Sequence, residues 1–155
     1  MFSLSKIFVT LFYVGYSKII PGTVGSFFSF LILFIVHIFL DKYYLYLIFI
    51  TLFVLSLYLI NIYKKFIDKI DPPEVVIDEF LGIFIIFLFF EYFNNLSFYS
   101  ILIIGFILFR FFDILKPFPI NWIDKNINNS FGIIMDDIVA GIYSVICLKI
   151  FNELI

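Results

Sequence analysis

Five apolar segments, separated by short polar stretches, dominate the chain at residues 27–40, 44–62, 80–90, 96–112 and 138–150. Their lengths suit helices better than strands, and the alternating polar pattern of a membrane barrel is missing. Only the second segment approaches the roughly 20 residues that a straight spanning helix needs, so the others are expected to tilt or to insert partly. A stretch near Lys6 adds an N-terminal amphipathic helix. The pattern predicts an all-α, membrane-embedded bundle that forms a single domain over residues 1–155.

Composition places the protein in the same class. Hydrophobic residues make up 64% of the chain and charged residues 14%, whereas soluble domains average about 45–50% and about 25%. The net charge of −2 argues against a nucleic-acid partner. Cys147 is the only cysteine, so an internal disulfide is impossible. The lipid bilayer is therefore the expected partner, and no feature of the sequence indicates an oligomeric state.

The polar connections sort onto two sides if all five segments cross the membrane. The N-terminus and the loops 63–79 and 113–137 would then share one face. Residues 41–42, 91–95 and the C-terminus would share the other. Only Lys42 and Lys149 fall on the second face, and the positive-inside rule therefore predicts that the first face is cytoplasmic. The basic residues of the first face are Lys6, Lys18, Lys64, Lys65, Lys69, Arg110, Lys116 and Lys125.

Five acidic residues stand at the borders of apolar segments on that first face. One interpretation is structural, because acids in the first turn of a helix are stabilised by the helix dipole. Together, however, the five would repel one another unless cations lay between them. Carboxylate oxygens are the ligands that Mg²⁺ prefers. The pattern therefore favours a magnesium site, with the candidate ligands Asp78, Glu79, Asp113, Asp136 and Asp137.

Two cations accompany these acids. Arg110, Asp113 and Lys116 follow one another at intervals of three residues, which places neighbours on one face of a continuous helix. Pro117 is expected to end that helix. Arg110 can bind a phosphate with two hydrogen bonds, and Lys116 can add a point charge. The alternative is an Arg–Asp pair that satisfies itself beside a lysine that reaches toward water.

A glycine-containing stretch at residues 21–26 directly precedes the first apolar segment. It predicts a tight turn with Thr23 or Ser26 as the helix cap. A helix start also offers free N–H groups to an anion, so Thr23 and Ser26 are candidate phosphate-binding residues. The spacing is not that of a P-loop, and the P-loop lysine is missing.

The motifs that the sequence lacks narrow the range of possible reactions. The chain has no Cys-x₅-Arg loop, and its one histidine cannot serve a phosphatase that works through two. That histidine, His37, also lies in the wrong segment for a Ser-His-Asp set. Metal-assisted hydrolysis with carboxylates remains. The candidate catalytic residues, one of which would accept the proton of the attacking water, are Asp113, Asp124, Asp136 and Asp137.

Several stretches resemble the phosphatidylglycerophosphatase A family. They are IPGTVGS at 20–26, DEFLG at 78–82, FRFFDILKPFPI at 109–120, WIDK at 122–125 and GIIMDDIVAG at 132–141. The resemblance implies an all-helical fold and Mg²⁺-dependent hydrolysis of phosphatidylglycerophosphate to phosphatidylglycerol and phosphate, in bacterial phospholipid biosynthesis. It places the protein in the bacterial inner membrane, with its active site toward the cytoplasm. It also implies functional roles for Thr23, Ser26, Asp78, Glu79, Arg110, Asp113, Lys116, Asp124, Asp136 and Asp137.

Two other functions compete with this expectation. A CDP-alcohol phosphotransferase also carries acids on membrane helices, but its pattern needs Asp-Gly and Ala-Arg after the first acids, and residues 136–141 do not provide them. A small divalent-cation transporter would need acids near the middle of a segment. The acids of this chain instead gather at segment edges.

Overall fold

The computed structural model describes residues 2–69 and 72–155, and every regular element in these two ranges is helical. The predicted all-α class is therefore confirmed. Short 3₁₀ turns lie at Val14–Tyr16 and Phe90–Tyr92. The α-helices are α1 (Phe2–Val9), α2 (Pro21–Phe39), α3 (Lys42–Ile67), α4 (Ile77–Leu88), α5 (Phe98–Leu115), α6 (Ile120–Asn126) and α7 (Ser130–Leu154).

Four of these helices, α2, α3, α5 and α7, are long and apolar enough to cross a membrane. The condition that all five segments cross the membrane does not hold for the third segment. That segment forms α4, whose 12 residues extend only about 18 Å, well short of the roughly 30 Å hydrocarbon core. Nearly every side chain of α4 is buried inside the protein. Its apolar character thus serves a packed core, where Leu81, Ile83 and Phe84 are fully enclosed.

The sorting of the loops onto two ends of the bundle is nevertheless confirmed, because α4 and the turn after it run from one end to the other. At the end away from the five candidate metal ligands, Lys42 pairs with Glu91 at 3.1 Å. The backbone N–H of Asn95 donates to the Asn152 side chain at 2.8 Å, which joins the 91–95 loop to the C-terminal end of α7. The acidic and basic motifs gather at the opposite end.

Helices α4 and α7 approach each other through glycines. A Cβ placed on Gly82 would lie 2.5 Å from the carbonyl oxygen of Asp137, and one on Gly141 would overlap the carbonyl of Gly82. Only a residue without a side chain permits this backbone contact. As a result, Glu79 and Asp137 lie at the same level of the bundle, because each is within about one helical turn of the contact.

The N-terminal segment supports the loop that leads into α4. Helix α1 packs its Phe2 ring on Tyr63 of α3, and the backbone N–H of Val76 donates to the Val9 carbonyl at 3.0 Å. Tyr63 also donates to Glu74 at 3.1 Å. These contacts set where α4 begins, and so they set the position of Asp78 and Glu79.

Candidate active site

A polar cavity of about 190 Å³ opens at the end of the bundle where the charged motifs meet. Its charged lining comes from the helices α4, α5, α6 and α7 and from Lys116, which connects α5 to α6. Residues from distant parts of the chain are therefore brought together. Pro72 and Pro73 form part of its rim. The charged residues that line it are Asp78, Glu79, Asp113, Lys116, Asp124, Asp136 and Asp137.

Ser26, Glu79, Arg110 and Asp113 form one hydrogen-bonded cluster beside this cavity. Ser26 Oγ donates to Glu79 Oε2 at 2.7 Å, and Arg110 Nη1 donates to Ser26 Oγ at 3.1 Å. Arg110 Nη1 also lies 2.7 Å from Asp113 Oδ2 and 3.3 Å from Glu79 Oε1. The Arg110–Asp113 pair confirms the expected i,i+3 contact. The guanidinium keeps one buried donor, its Nε–H, without a partner among the described residues.

The start of α2 differs from the predicted capped turn. Pro21 occupies the first helical turn, and no side chain caps this end of the helix. Ser26 is fully buried within α2 and bonds to Glu79 instead. Thr23 is half-buried and makes no hydrogen bond to the cluster within the described part of the chain. Its predicted role in phosphate binding stays a prediction.

Lys116 leaves the face on which Arg110 and Asp113 lie. Helix α5 ends at Leu115, as Pro117 predicts, and Lys116 takes a left-handed conformation with φ 43°. The side chain therefore points to a second cluster, where Nζ lies 2.6 Å from Asp124 Oδ1 and 2.9 Å from Asp136 Oδ2. The expectation of one continuous Arg110–Lys116 face is wrong, because the helix ends before the third member.

Asp136 and Asp137 lie well inside α7 rather than at its start. The helix begins six residues earlier, at Ser130, where Asn129 accepts a hydrogen bond from the Gly132 N–H at 3.0 Å. The structural interpretation of this pair as an acidic first turn is therefore wrong. Asp78 and Glu79, in contrast, do lie in the first turn of α4.

Asp137 is the least satisfied charge at the site. Asp137 is only 5% exposed. Within residues 2–69 and 72–155, neither a cation nor a hydrogen-bond donor contacts its carboxylate. Its carboxylate is instead repelled by the carboxylates of other acids, namely Asp113, Asp78, Asp136 and Glu79. A buried carboxylate surrounded by other carboxylates is costly without a counterion.

Burial also shifts the pKa of two groups of the site that lie outside the spanning helices, Glu79 and Lys116. Desolvation raises the pKa of Glu79 to about 8, although the hydrogen bond from Ser26 and the charge of Arg110 oppose the rise. Desolvation lowers the pKa of Lys116, but its bonds to Asp124 and Asp136 outweigh burial and leave that pKa above its ordinary value. Lys116 therefore carries its charge throughout the physiological pH range.

The donor set suits Mg²⁺, since oxygen ligands predominate and the Asp137 carboxylate has no cationic partner within residues 2–69 and 72–155. With the side chains as they stand, no three acidic, histidine or cysteine groups of the described residues converge closely enough to hold a metal ion. Binding would thus need side-chain rotation of acids that already line one cavity.

The sequence profile that describes phosphatidylglycerophosphatase A matches residues 7–152, almost the whole chain. The chain belongs to the phosphatidylglycerophosphatase A family. It is 42% identical to the phosphatidylglycerophosphatase A of Haemophilus influenzae over 127 aligned residues, and these cover 81% of this chain and 75% of that protein. It is 34% identical to the Escherichia coli protein of the same name over 135 aligned residues, which cover 84% of this chain and 73% of that protein. No solved structure matches the chain significantly.

In this member of the phosphatidylglycerophosphatase A family, sequence reasoning missed the polar network behind the cavity. Tyr16 and Tyr63 share a hydrogen bond of 2.8 Å, and Tyr63 continues it to Glu74. Lys64 donates to the Asn128 carbonyl at 3.2 Å, next to the cavity wall. The only signal in the sequence was the polar residue Tyr63 just after an apolar segment, and that signal is too common to be diagnostic.

Proposed function

We propose that the protein is a Mg²⁺-dependent phosphatase that hydrolyses phosphatidylglycerophosphate to phosphatidylglycerol and inorganic phosphate in phospholipid biosynthesis. Membership of the phosphatidylglycerophosphatase A family supports the reaction. The observation that carries the proposal is the cavity that five metal-binding candidates share with Lys116 at one end of four spanning helices. A lipid phosphate lies at the membrane surface, so it can enter this cavity while its acyl chains stay in the bilayer.

The cationic side chains are assigned to the phosphate. Arg110 can turn two donors to phosphate oxygens, and Lys116 supplies a compact charge from the opposite side. Ser26 and Thr23 are assigned to hydrogen bonds with the same group. In the structure, Arg110 and Lys116 are held by carboxylates. An entering phosphate would compete with those acids and direct them toward the metal.

The acids are assigned to the metal and to proton transfer. Asp78, Glu79, Asp113, Asp136 and Asp137 are the proposed ligands. When bound, Mg²⁺ would neutralise phosphate oxygens and favour ionisation of the attacking water. Water attacks phosphorus, the bond from phosphorus to the glycerol oxygen breaks, and that oxygen leaves with a proton. A carboxylate among Asp113, Asp124, Asp136 and Asp137 takes the proton of the water.

A phosphate-release assay on the purified protein tests the proposal. The expected result is release from phosphatidylglycerophosphate with Mg²⁺ and none with EDTA. Other lipid phosphates, assayed in parallel, define the range of substrates. Asp113→Asn and Asp136→Asn should each lower the rate by about 100-fold or more. Glu91→Gln is the matched control, since this exposed acid lies at the other end of the bundle. Full activity in both aspartate variants would refute the assignment.

We also propose that the protein resides in the inner membrane with the cavity facing the cytoplasm, because eight of its ten basic residues belong to that end. Single cysteines can test this in a Cys147→Ser background. A membrane-impermeant maleimide should label Lys125→Cys in inverted vesicles and Lys42→Cys in spheroplasts. The reverse pattern would overturn the orientation.

A further inference from the structure

An apolar furrow runs between α2 and α5 on the outside of the bundle, with a volume of about 470 Å³. Its floor is formed by the rings of Phe30 and Phe106, which pack edge-on at 5.6 Å. Its walls are exposed aliphatic side chains, Leu31 on α2 and Ile103 on α5. Both helices are candidate membrane spans, so the furrow faces the region of the lipid chains.

The furrow begins directly below the cluster that holds Arg110. Ile107, at its upper end, precedes Arg110 by three residues, and therefore lies under it on the same face of α5. Phe27, on the opposite wall, directly follows Ser26, whose hydroxyl accepts a hydrogen bond from Arg110. A molecule with an anionic head at Arg110 and an apolar tail would therefore have continuous contact with both surfaces.

The length of the furrow is similar to the thickness of one leaflet, and on α5 it runs from the middle of the helix toward the end of the bundle away from the cavity. Its residues on α5 run from Tyr99 to Ile107, a rise of about 12 Å along the helix. Half of the roughly 30 Å hydrocarbon core is about 15 Å. A second apolar furrow, on α3 around Val54, has a comparable volume of about 550 Å³. Neither furrow shares a lining residue with the charged cavity, but the α2–α5 furrow lies on the two helices that carry Ser26 and Arg110.

We propose that the α2–α5 furrow binds one acyl chain of the phospholipid whose phosphate enters the acidic cavity. The identity of the headgroup rests on the proposed function. The furrow then orients the lipid so that its phosphate approaches Arg110 and Lys116 from the α2–α5 side. Filling the furrow with a larger side chain should weaken the binding of long-chain substrate, while the same change on α3 should not.

Photo-crosslinking tests the furrow without turnover. The protein is placed in phosphatidylcholine nanodiscs that contain a trace of phosphatidylglycerophosphate with a diazirine in one acyl chain, with EDTA present. Mass spectrometry should find labelling of the α5 wall in excess of that from diazirine-labelled phosphatidylcholine at the same fraction. Ile103→Trp and Leu31→Trp should remove the excess. Val54→Trp, at a residue exposed to a similar degree (60% against 62% for Ile103), should keep it.

Equal labelling by the two lipids would mean that the furrow meets bulk lipid only, and cross-links between two protein chains would mean that it is an interface between copies. Either result overturns the proposal. Selective labelling in a protein that releases no phosphate from the lipid would support the furrow and refute the proposed function, so the two failures are distinguishable.

Kinetics give a second measurement. The ratio of KM for dioleoyl to KM for dihexanoyl phosphatidylglycerophosphate should rise in Ile103→Trp by about fifteenfold, the effect of losing burial of about two methylene groups. Leu31→Trp should act in the same direction, and Val54→Trp should leave the ratio unchanged. Gel filtration and thermal unfolding of each variant establish that it is folded. A constant ratio in both furrow variants would overturn the proposal.

Discussion

The hydroxyl of Ser26 donates a 2.7 Å hydrogen bond to Glu79 and accepts one of 3.1 Å from Arg110. One small side chain therefore links three helices, α2, α4 and α5, at the level of the cavity. Because Ser26 is fully buried and Glu79 nearly so, water cannot replace these bonds without opening the bundle. The position of Glu79 within the site thus depends on a residue that carries no charge.

Ser26→Ala should lower both stability and activity. Loss of the hydroxyl leaves buried partners unsatisfied, at a cost of about 1–3 kcal/mol in the free energy of unfolding. Ser29→Ala is the matched control, because the buried hydroxyl of Ser29 donates to the Gly25 carbonyl in the same helix. Thermal unfolding in detergent and phosphate release measure the two effects. Equal losses in both variants would contradict a special role for Ser26.

Asp137→Asn should separate activity from stability. Removing a buried negative charge that has no cationic partner among the described residues should raise the unfolding temperature measured in EDTA, whereas phosphate release should fall by about 100-fold or more. Mg²⁺ should raise the unfolding temperature of the unmodified protein by binding its folded state, and should raise that of the variant less. Scanning fluorimetry with and without Mg²⁺ provides the measurement. An equal Mg²⁺ response in both proteins would remove Asp137 from the proposed ligands.

Gly82→Ala and Gly141→Ala should destabilise the contact between α4 and α7. Each added methyl group would meet backbone atoms of the facing helix, which cannot move aside separately, so a loss of about 1–3 kcal/mol is expected. Gly105→Ala is the control, because its Cβ would lie 3.5 Å from the ends of Ile86 and Leu148 side chains. Its unfolding temperature should change little or rise, since alanine favours a helix more than glycine. Unchanged stability in the first two variants would contradict the close contact.

Lys116→Gln should impair turnover strongly, by about 100-fold, because the cation that faces Asp124 and Asp136 would be lost together with its interaction with the phosphate. Lys125→Gln, at a solvent-exposed lysine in the last turn of α6, is the control. Phosphate release with saturating Mg²⁺ distinguishes them. Comparable rates for the two variants would show that Lys116 is structural.

The sequence by itself determined the helical class, the end of α5 before Pro117 and the grouping of loops at two ends. These follow from local rules, namely apolar segment length, the backbone limits of proline and the alternation of successive segments. The motifs around Arg110 and Asp136 also sufficed to indicate the family. Each of these inferences depends on neighbours in the chain and needs no knowledge of the packing.

Only the tertiary structure decided the rest. An apolar run has the same pattern whether it meets lipid or protein, so the pattern alone cannot decide whether α4 crosses the membrane, whereas in the structure its neighbours enclose it. Likewise, spacing placed Lys116 beside Arg110, but the end of the helix turned it toward Asp124 and Asp136. Which acid receives a cation, and which, like Asp137, has none in the described part of the chain, depends on distances between separate helices. No local pattern in the sequence encodes those distances.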